Sequence, residues 1–249
     1  MNPTPAVEEL AISIVAKNLN PTLLTREFLV YSGIIPSDWS LASQPILNSQ
    51  VAHVAFTNGV NISIQMSAVT FSENILAKAR ESIVVPTLIR KYVQTLPNIE
   101  YQSIGINPSI FFTFDDDENN ENNASHYIST RLLAPGEWQQ VGNQPVRASL
   151  QLAYTLDRGQ FNLKIDDVLL RRADNSPEFA VSHCGLGVSP SGASGEPFRV
   201  LFSGNFPDEI RGESPTERSH HLNQLLNNWQ SDLETFREII YQKFLGMRE

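Results

Sequence analysis

Few side chains in this chain are equipped for chemistry at neutral pH. Five histidines and one cysteine are spread through 249 residues. His183 stands next to Cys184, the nearest approach to a thiolate and its base. Neighbours on a strand point to opposite faces, so these two cannot serve each other as base and nucleophile. Cys184 reads as a small core residue, and His183 remains a catalytic candidate only through a distant partner. His53 is the other candidate, within VAHVAFTNGVNISIQMSAV. Asn58 and Gly59 both tolerate positive φ and suit a two-residue hairpin turn. That turn sets His53 opposite Ile64, on the apolar face of Val60, Ile62 and Met66, where a satisfied buried histidine is expected. A bulge at the turn would carry it to the other face. His220 and His221 follow Glu217 by three and four residues, a pair that could share a metal only with further ligands.

Two other stretches invite a ligand reading. HCGLGVSPSGASGEP carries Gly185, Gly187, Gly192 and Gly195, whose amides could cradle an anion. It contains no Lys or Arg and no G-K-[ST], so it is not a P-loop, and a hairpin connection is the simpler reading. FFTFDDDENNENNASHY turns from an aromatic run to nine residues that are all Asp, Glu or Asn. Asp115, Asp117 and Asn119 match the opening of an EF-hand loop. The match then fails: Asn120 stands where glycine is required and His126 where a bidentate Glu is required. A solvated linker is expected. No HExxH, CxxC or HRD-type segment occurs. No cofactor and no metal centre are expected.

The composition narrows the classes further. Hydrophobic residues make up 41% and charged residues 18%, an ordinary globular balance. Net charge is −9, and the run from Asp115 to Glu121 holds five of those negative charges. An acidic body disfavours nucleic acid and anionic lipid as partners. LIRKYV and LLRR, with Arg90, Lys91, Arg171 and Arg172, are the only compact basic spots. One cysteine excludes an intrachain disulfide and fits a reducing compartment. No stretch reaches the roughly 18 apolar residues of a membrane span, and the start of the chain reads as a strand rather than a leader. A cytoplasmic location is expected.

The elements that must position these residues are legible in part. NPTLLTREFLVYSG has Asn20 as N-cap, Pro21 at the first helical position and Gly33 past the end. VPTLIRKYVQTLP forms a second helix between Pro86 and Pro97. YQSIGINPSIFFTF is a strand broken by Asn107-Pro108, since proline cannot donate to the ladder. Residues 1–114 therefore read β-α-β-β-α-β, the ferredoxin-like order. Residues 115–125 are the expected linker. Residues 126–249 read as a second antiparallel sheet and a long helix. Leu150, Leu152, Tyr154 and Leu156 alternate on one face before a turn at Asp157-Arg158-Gly159. The last helix opens with the capping box Ser214-Pro215-Thr216-Glu217. Its apolar stripe runs through Leu222, Leu225, Leu226, Trp229, Leu233, Phe236, Ile240 and Phe244. Thirty helical residues would span about 45 Å, longer than one small sheet, so the excess either crosses both halves or meets a partner.

GIIPSDW after a first helix, NGVNISIQ in a hairpin and YQSIGINPSIFF with Gly105-x-Asn107 in a mid-chain strand carry a resemblance. The chain resembles a sporadically distributed bacterial family of uncharacterised α+β proteins of similar length. That resemblance covers most of the chain and implies no activity. The strands followed by a long helix also resemble, in element order alone, the SecB-like export chaperones.

The expectation is an α+β protein of two pseudo-repeated antiparallel sheet units clasped by the terminal helix. Its expected role is non-enzymatic: a cytosolic adaptor or chaperone-like protein that recognises another polypeptide or a second copy. Leu222, Leu226, Trp229, Leu233, Phe236 and Ile240 are the expected partner-binding residues. RNA binding of ferredoxin-like type, or a small-molecule enzyme with a dispersed site at His53 or His183, are the alternatives.

Overall fold

A computed structural model describes residues 3–114, 127–142, 148–168 and 199–247. The expected linker, 115–125, lies outside these residues. Among the described residues, alternation of apolar and polar side chains produces nine strands in one antiparallel sheet. They are β1 (Pro3–Lys17), β2 (Ile46–Leu47), β3 (Val51–Ala55), β4 (Val60–Gln65), β5 (Ala68–Asn74), β6 (Glu100–Phe114), β7 (Ser149–Leu156), β8 (Gly159–Val168) and β9 (Arg199–Glu209). Their order across the sheet is β2-β3-β4-β5-β1-β6-β9-β8-β7. The helices are α1 (Arg26–Tyr31), α2 (Val85–Thr95), α3 (Pro215–Leu226) and α4 (Trp229–Glu238). Among the described residues no helix is long and apolar enough to cross a membrane.

The protein is thus mixed helix and strand, with an antiparallel sheet and a C-terminal helical segment. Its topology explains the β-α-β-β-α-β appearance of residues 1–114. Between the hairpin and α2 stands an additional strand, β5, which pairs antiparallel with both β4 and β1. TFSEN conceals it, because Ser72 and Glu73 are polar yet buried. β1–α1–β3–β4–β5–α2 is one unit, with strand order β3-β4-β5-β1. β6, the turn at Ile128–Leu132, β7–β8–β9 and α3–α4 repeat that plan, with order β7-β8-β9-β6. Topologically β6 opens the second unit, and a pseudo-twofold passes between it and β1.

β1 and β6, each 15 residues, pair from Pro3↔Phe114 to Lys17↔Glu100. Alternate residues Leu10, Ile12 and Ile14 of β1 and Ile104, Ile106 and Ile110 of β6 point to the helical side and are buried. There α2 lies over β5 and β1, and α3 and α4 lie over β6. Arg90 of α2 donates to the Asn223 carbonyl of α3 at 3.2 Å and to Oδ1 of Asn227, which caps the end of α3, at 2.7 Å, joining the two helical layers. Phe112 meets Phe202 and Tyr241 edge-on at 5.8 and 5.6 Å.

Two helices differ from the expected ones. Asn20 caps a 3-10 turn, Pro21–Leu23, and Thr25 begins a separate helix, α1. The single long terminal helix is interrupted at Asn227-Asn228 and ends in a π-helical turn, Ile239–Phe244. The apolar spacing continues across the interruption, which hides it from a periodicity argument. Ser214 does cap α3, accepting from Glu217 N at 3.2 Å.

Among the acids buried on the helical side, Glu73, Glu8 and Asp232 tie helices to the sheet. Glu73 accepts from Lys78 Nζ at 2.7 Å and from the amides of Val84 and Val85 at 2.8 and 3.2 Å. It thereby closes the N-terminus of α2, where unpaired amides favour an anion. Glu8 receives Arg237 of α4 through two bonds, at 2.6 and 2.9 Å. Asp232 of α4 lies 3.0 Å from Arg158, which also donates to Asp208 at 2.7 Å. One cation serves two carboxylates, and burial pushes the Asp232 carboxyl up to about 7.

A carboxyl raised in the folded state binds its proton there more tightly than in the unfolded chain. The stability it contributes is full below about pH 4 and is lost as pH rises through 7. Asp232→Asn keeps the neutral form at every pH. In urea unfolding it is expected to exceed the parent by on the order of 1–3 kcal/mol at pH 8 and to converge with it near pH 4. Parallel pH profiles for the two proteins would refute this account.

Candidate functional site

The opposite face of the sheet is the one turned away from α2, α3 and α4. Toward Val7 it is nevertheless closed, since Val7, Glu9, Ala11, Ser109 and Phe111 are buried there. The open part lies around Ser13 and Val15, and its side chains are amides, hydroxyls and small apolar groups.

The hairpin of β3 and β4 sets what reaches this face. Phe56 N donates to the Val60 carbonyl and Gly59 has φ +84°, so the loop has three residues, 57–59. The one-residue slip from the expected two-residue turn exchanges the faces of β3. His53 therefore opposes Ser63 instead of Ile64 and stands on the open side, away from Val60 and Ile62. It is half-buried, and burial lowers its pKa, which keeps it neutral at pH 7. From His53 a polar row crosses the sheet by register through Ser63, Thr70 and Ser13 to Gly105, and Asn107, the next residue of β6 on this face, continues it to Asn205, which faces Asn162.

Within that row the side chains form a directed hydrogen-bond chain. Gln160 Nε2 donates to Asn162 Oδ1 at 2.8 Å, and Asn162 Nδ2 to Asn205 Oδ1 at 3.2 Å. Asn205 Nδ2 donates to Asn107 Oδ1 at 2.6 Å, and Asn107 Nδ2 to Ser13 Oγ at 3.3 Å. Ser13 Oγ and Thr70 Oγ1 share a bond of 2.9 Å. The links run donor to acceptor in one sense as far as Ser13, an arrangement in which each bond polarises the next. Gly105 makes room for it. A Cβ at that position would lie 2.9 Å from Asn205 Nδ2 and 3.3 Å from Asn107 Oδ1.

Two shallow depressions flank this chain and share Asn107 and Asn205. One, of about 410 Å³, is lined by residues including Val15, Gln65, Ala68, Thr70 and Gly105, none of them charged. The other, of about 480 Å³, reaches Gln151, Ala153 and Lys164. Lys164 is neutralised by Asp166 at 2.7 Å. Such a surface offers dense, uncharged hydrogen bonding.

The other candidates fall elsewhere. His183, Gly185, Gly187, Gly192 and Gly195 lie outside the described residues. Leu222, Leu226, Leu233, Phe236 and Ile240 are buried in the core of their own chain, with Trp229 packed against it. They pack on the helical face of the sheet. His221 Nδ1 accepts from Arg211 N at 2.8 Å and Glu217 from Glu213 N at 2.8 Å, so both groups close the loop before α3. Asn205 and Asn162 were not singled out in the sequence. The available signal was that outward positions on neighbouring strands carry amides where Lys or Glu is usual.

The chain matches no model of a known protein family and no curated protein sequence.

Gly105→Val is expected to push the Asn205 amide away from Asn107 and sever the chain at its middle. The gain in strand propensity offsets part of the cost, so stability changes by about 1 kcal/mol or less. The side-chain amide resonances of Asn107 and Asn205 should move, and unmoved resonances would show that Gly105 has no spacing role.

Proposed function

We propose that the open face binds an extended, uncharged stretch of another polypeptide, making the protein a non-enzymatic, cytosolic adaptor or chaperone-like binder. The observation that carries this reading is the amide and hydroxyl chain from Gln160 to Thr70, set beside a depression with no charged lining residue. A side-chain amide presents the same donor and acceptor as a peptide group. A row of them can hydrogen-bond a main chain whatever its side chains, while Val15, Ala68 and Pro207 offer small apolar contacts beside them. Asn162 and Asn205 each make one donated and one accepted bond within the row and keep a second N–H and lone pair, whereas Asn107, which also donates to the Gly105 carbonyl at 3.0 Å, keeps only a lone pair. Charged segments are disfavoured, because they would lose hydration without gaining a partner.

The resemblance to the uncharacterised bacterial family rests largely on Gly105 and Asn107, and both belong to this chain of contacts, so kinship with that family is part of the proposal. RNA is the weaker reading. Phosphate contacts need cations, and Lys164, already paired, is the one cation among the described lining residues.

Fluorescence anisotropy with a labelled twelve-residue peptide of Thr, Val, Ser and Asn is the direct test. Saturable binding is expected, weakened at least tenfold by the double variant Asn107→Ala/Asn205→Ala and by Lys or Asp placed in the peptide. Failure of a panel of such neutral peptides to bind would overturn the proposal.

A further inference from the structure

The two edges of the sheet are built differently. At one end β2 is two residues long, too short to template another strand. At the other end β7 runs eight residues, SLQLAYTL, with no charge, no proline and an unbroken register against β8 from Ser149↔Asp166 to Leu156↔Gly159. Exposed edges are ordinarily guarded by Lys, Pro or a bulge, and β7 has none of these. No described strand pairs with its outer side.

The side chains of β7 are as incomplete as its backbone. Leu150, Leu152 and Leu156 point to the helical side but are only partly buried against the core. Tyr154 stacks on Phe161 at 5.9 Å and still leaves 36% of its surface exposed. The helical layer lies over β5, β1 and β6, so at β7 an apolar row stands at its margin.

We infer that this edge pairs with β7 of a second copy, antiparallel, about a twofold axis through Ala153. A twofold perpendicular to the sheet keeps each face on its own side, so opposed residues must have the same parity. Centred on Ala153, the register sets Leu152 against Tyr154 and Leu150 against Leu156 on the helical side, with each pair repeated by symmetry. On the open side Gln151 meets Thr155, and Ala153 meets itself. Four apolar side chains from each copy become shared core, and every pair is neutral. The occupant is a second copy because the strand carries no charge, so its own copy meets it without repulsion, and the partly buried Leu150, Leu152, Tyr154 and Leu156 then cover one another. Joining the copies also makes one continuous open face.

Light scattering on the full chain after size exclusion is expected to give twice the 27.8 kDa chain mass. Ala153 is exposed, so Ala153→Glu should fold normally yet elute as a monomer, because the symmetric register sets the carboxylate against its own copy. Mixing Ala153→Glu with Ala153→Lys should restore a dimer containing one of each. Should Ala153→Glu fail to fold, Ala153→Cys in a Cys184→Ser background should crosslink to a dimer on mild oxidation. A monomeric parent, a dimer that survives Ala153→Glu, or a cysteine variant that fails to crosslink would each overturn the inference. Peptide binding at the open face is measured separately, so its failure leaves this result legible.

Discussion

Everything else in this molecule hangs on the pairing of β1 with β6. These are the longest described strands, and among the described residues they alone join the five-strand and four-strand halves within the sheet. Their helical-side residues, Leu10, Ile12, Ile14, Ile104, Ile106 and Ile110, are the central floor on which α2, α3 and α4 rest. Their open-side residues, Ser13, Gly105 and Asn107, are the centre of the polar row. A slip of one residue in this pair would invert both faces at once. The pairing is therefore held along its whole length, with bulges confined to Pro5/Val7 and Val15/Ala16 near the ends.

The helical side is apolar but not purely so, and its charges are arranged to lock elements that the core alone would leave free to slide. Glu73 fixes the start of α2 to β5, and Glu8 fixes α4 to β1 through Arg237. Burying such groups costs several kcal/mol each unless every charge is matched. Glu73 and Glu8 are matched, and Asp232, sharing Arg158 with Asp208, relieves its mismatch by taking up a proton. The two faces of the sheet thus use polar groups for opposite ends: isolated ionic ties on the inside, and a continuous neutral network on the outside.

Local signals carried the reading of the sequence where the determinants were local. Ser214 and Pro215 mark the start of α3, Pro86 and Pro97 bracket α2, and the alternation around Leu150 to Leu156 shows β7 and its turn. What failed was set at longer range. Asn58-Gly59 fits a two-residue and a three-residue loop equally well, and only the neighbouring strands choose between them, which decides the face of His53. Glu73 looks like a solvent residue until Lys78 and the amides of α2 are brought to it. Gly105 and Asn107 stood out as a short motif. The reason for it, Asn205, lies 98 residues further on, and the register of β6 and β9 alone brings it into place.

The placement of β6 has a consequence for how the chain comes to be folded. Leu10 must find Pro108, and β6 must in turn find β9 beyond residue 199. Contacts so distant along the chain make closure slow. On a ribosome, the first unit would emerge with one whole side of its longest strand unsatisfied until β6 follows. The second unit would then wait in the same condition for β9. The protein passes through its own synthesis as a succession of open edges, and each is sealed only by the next long strand.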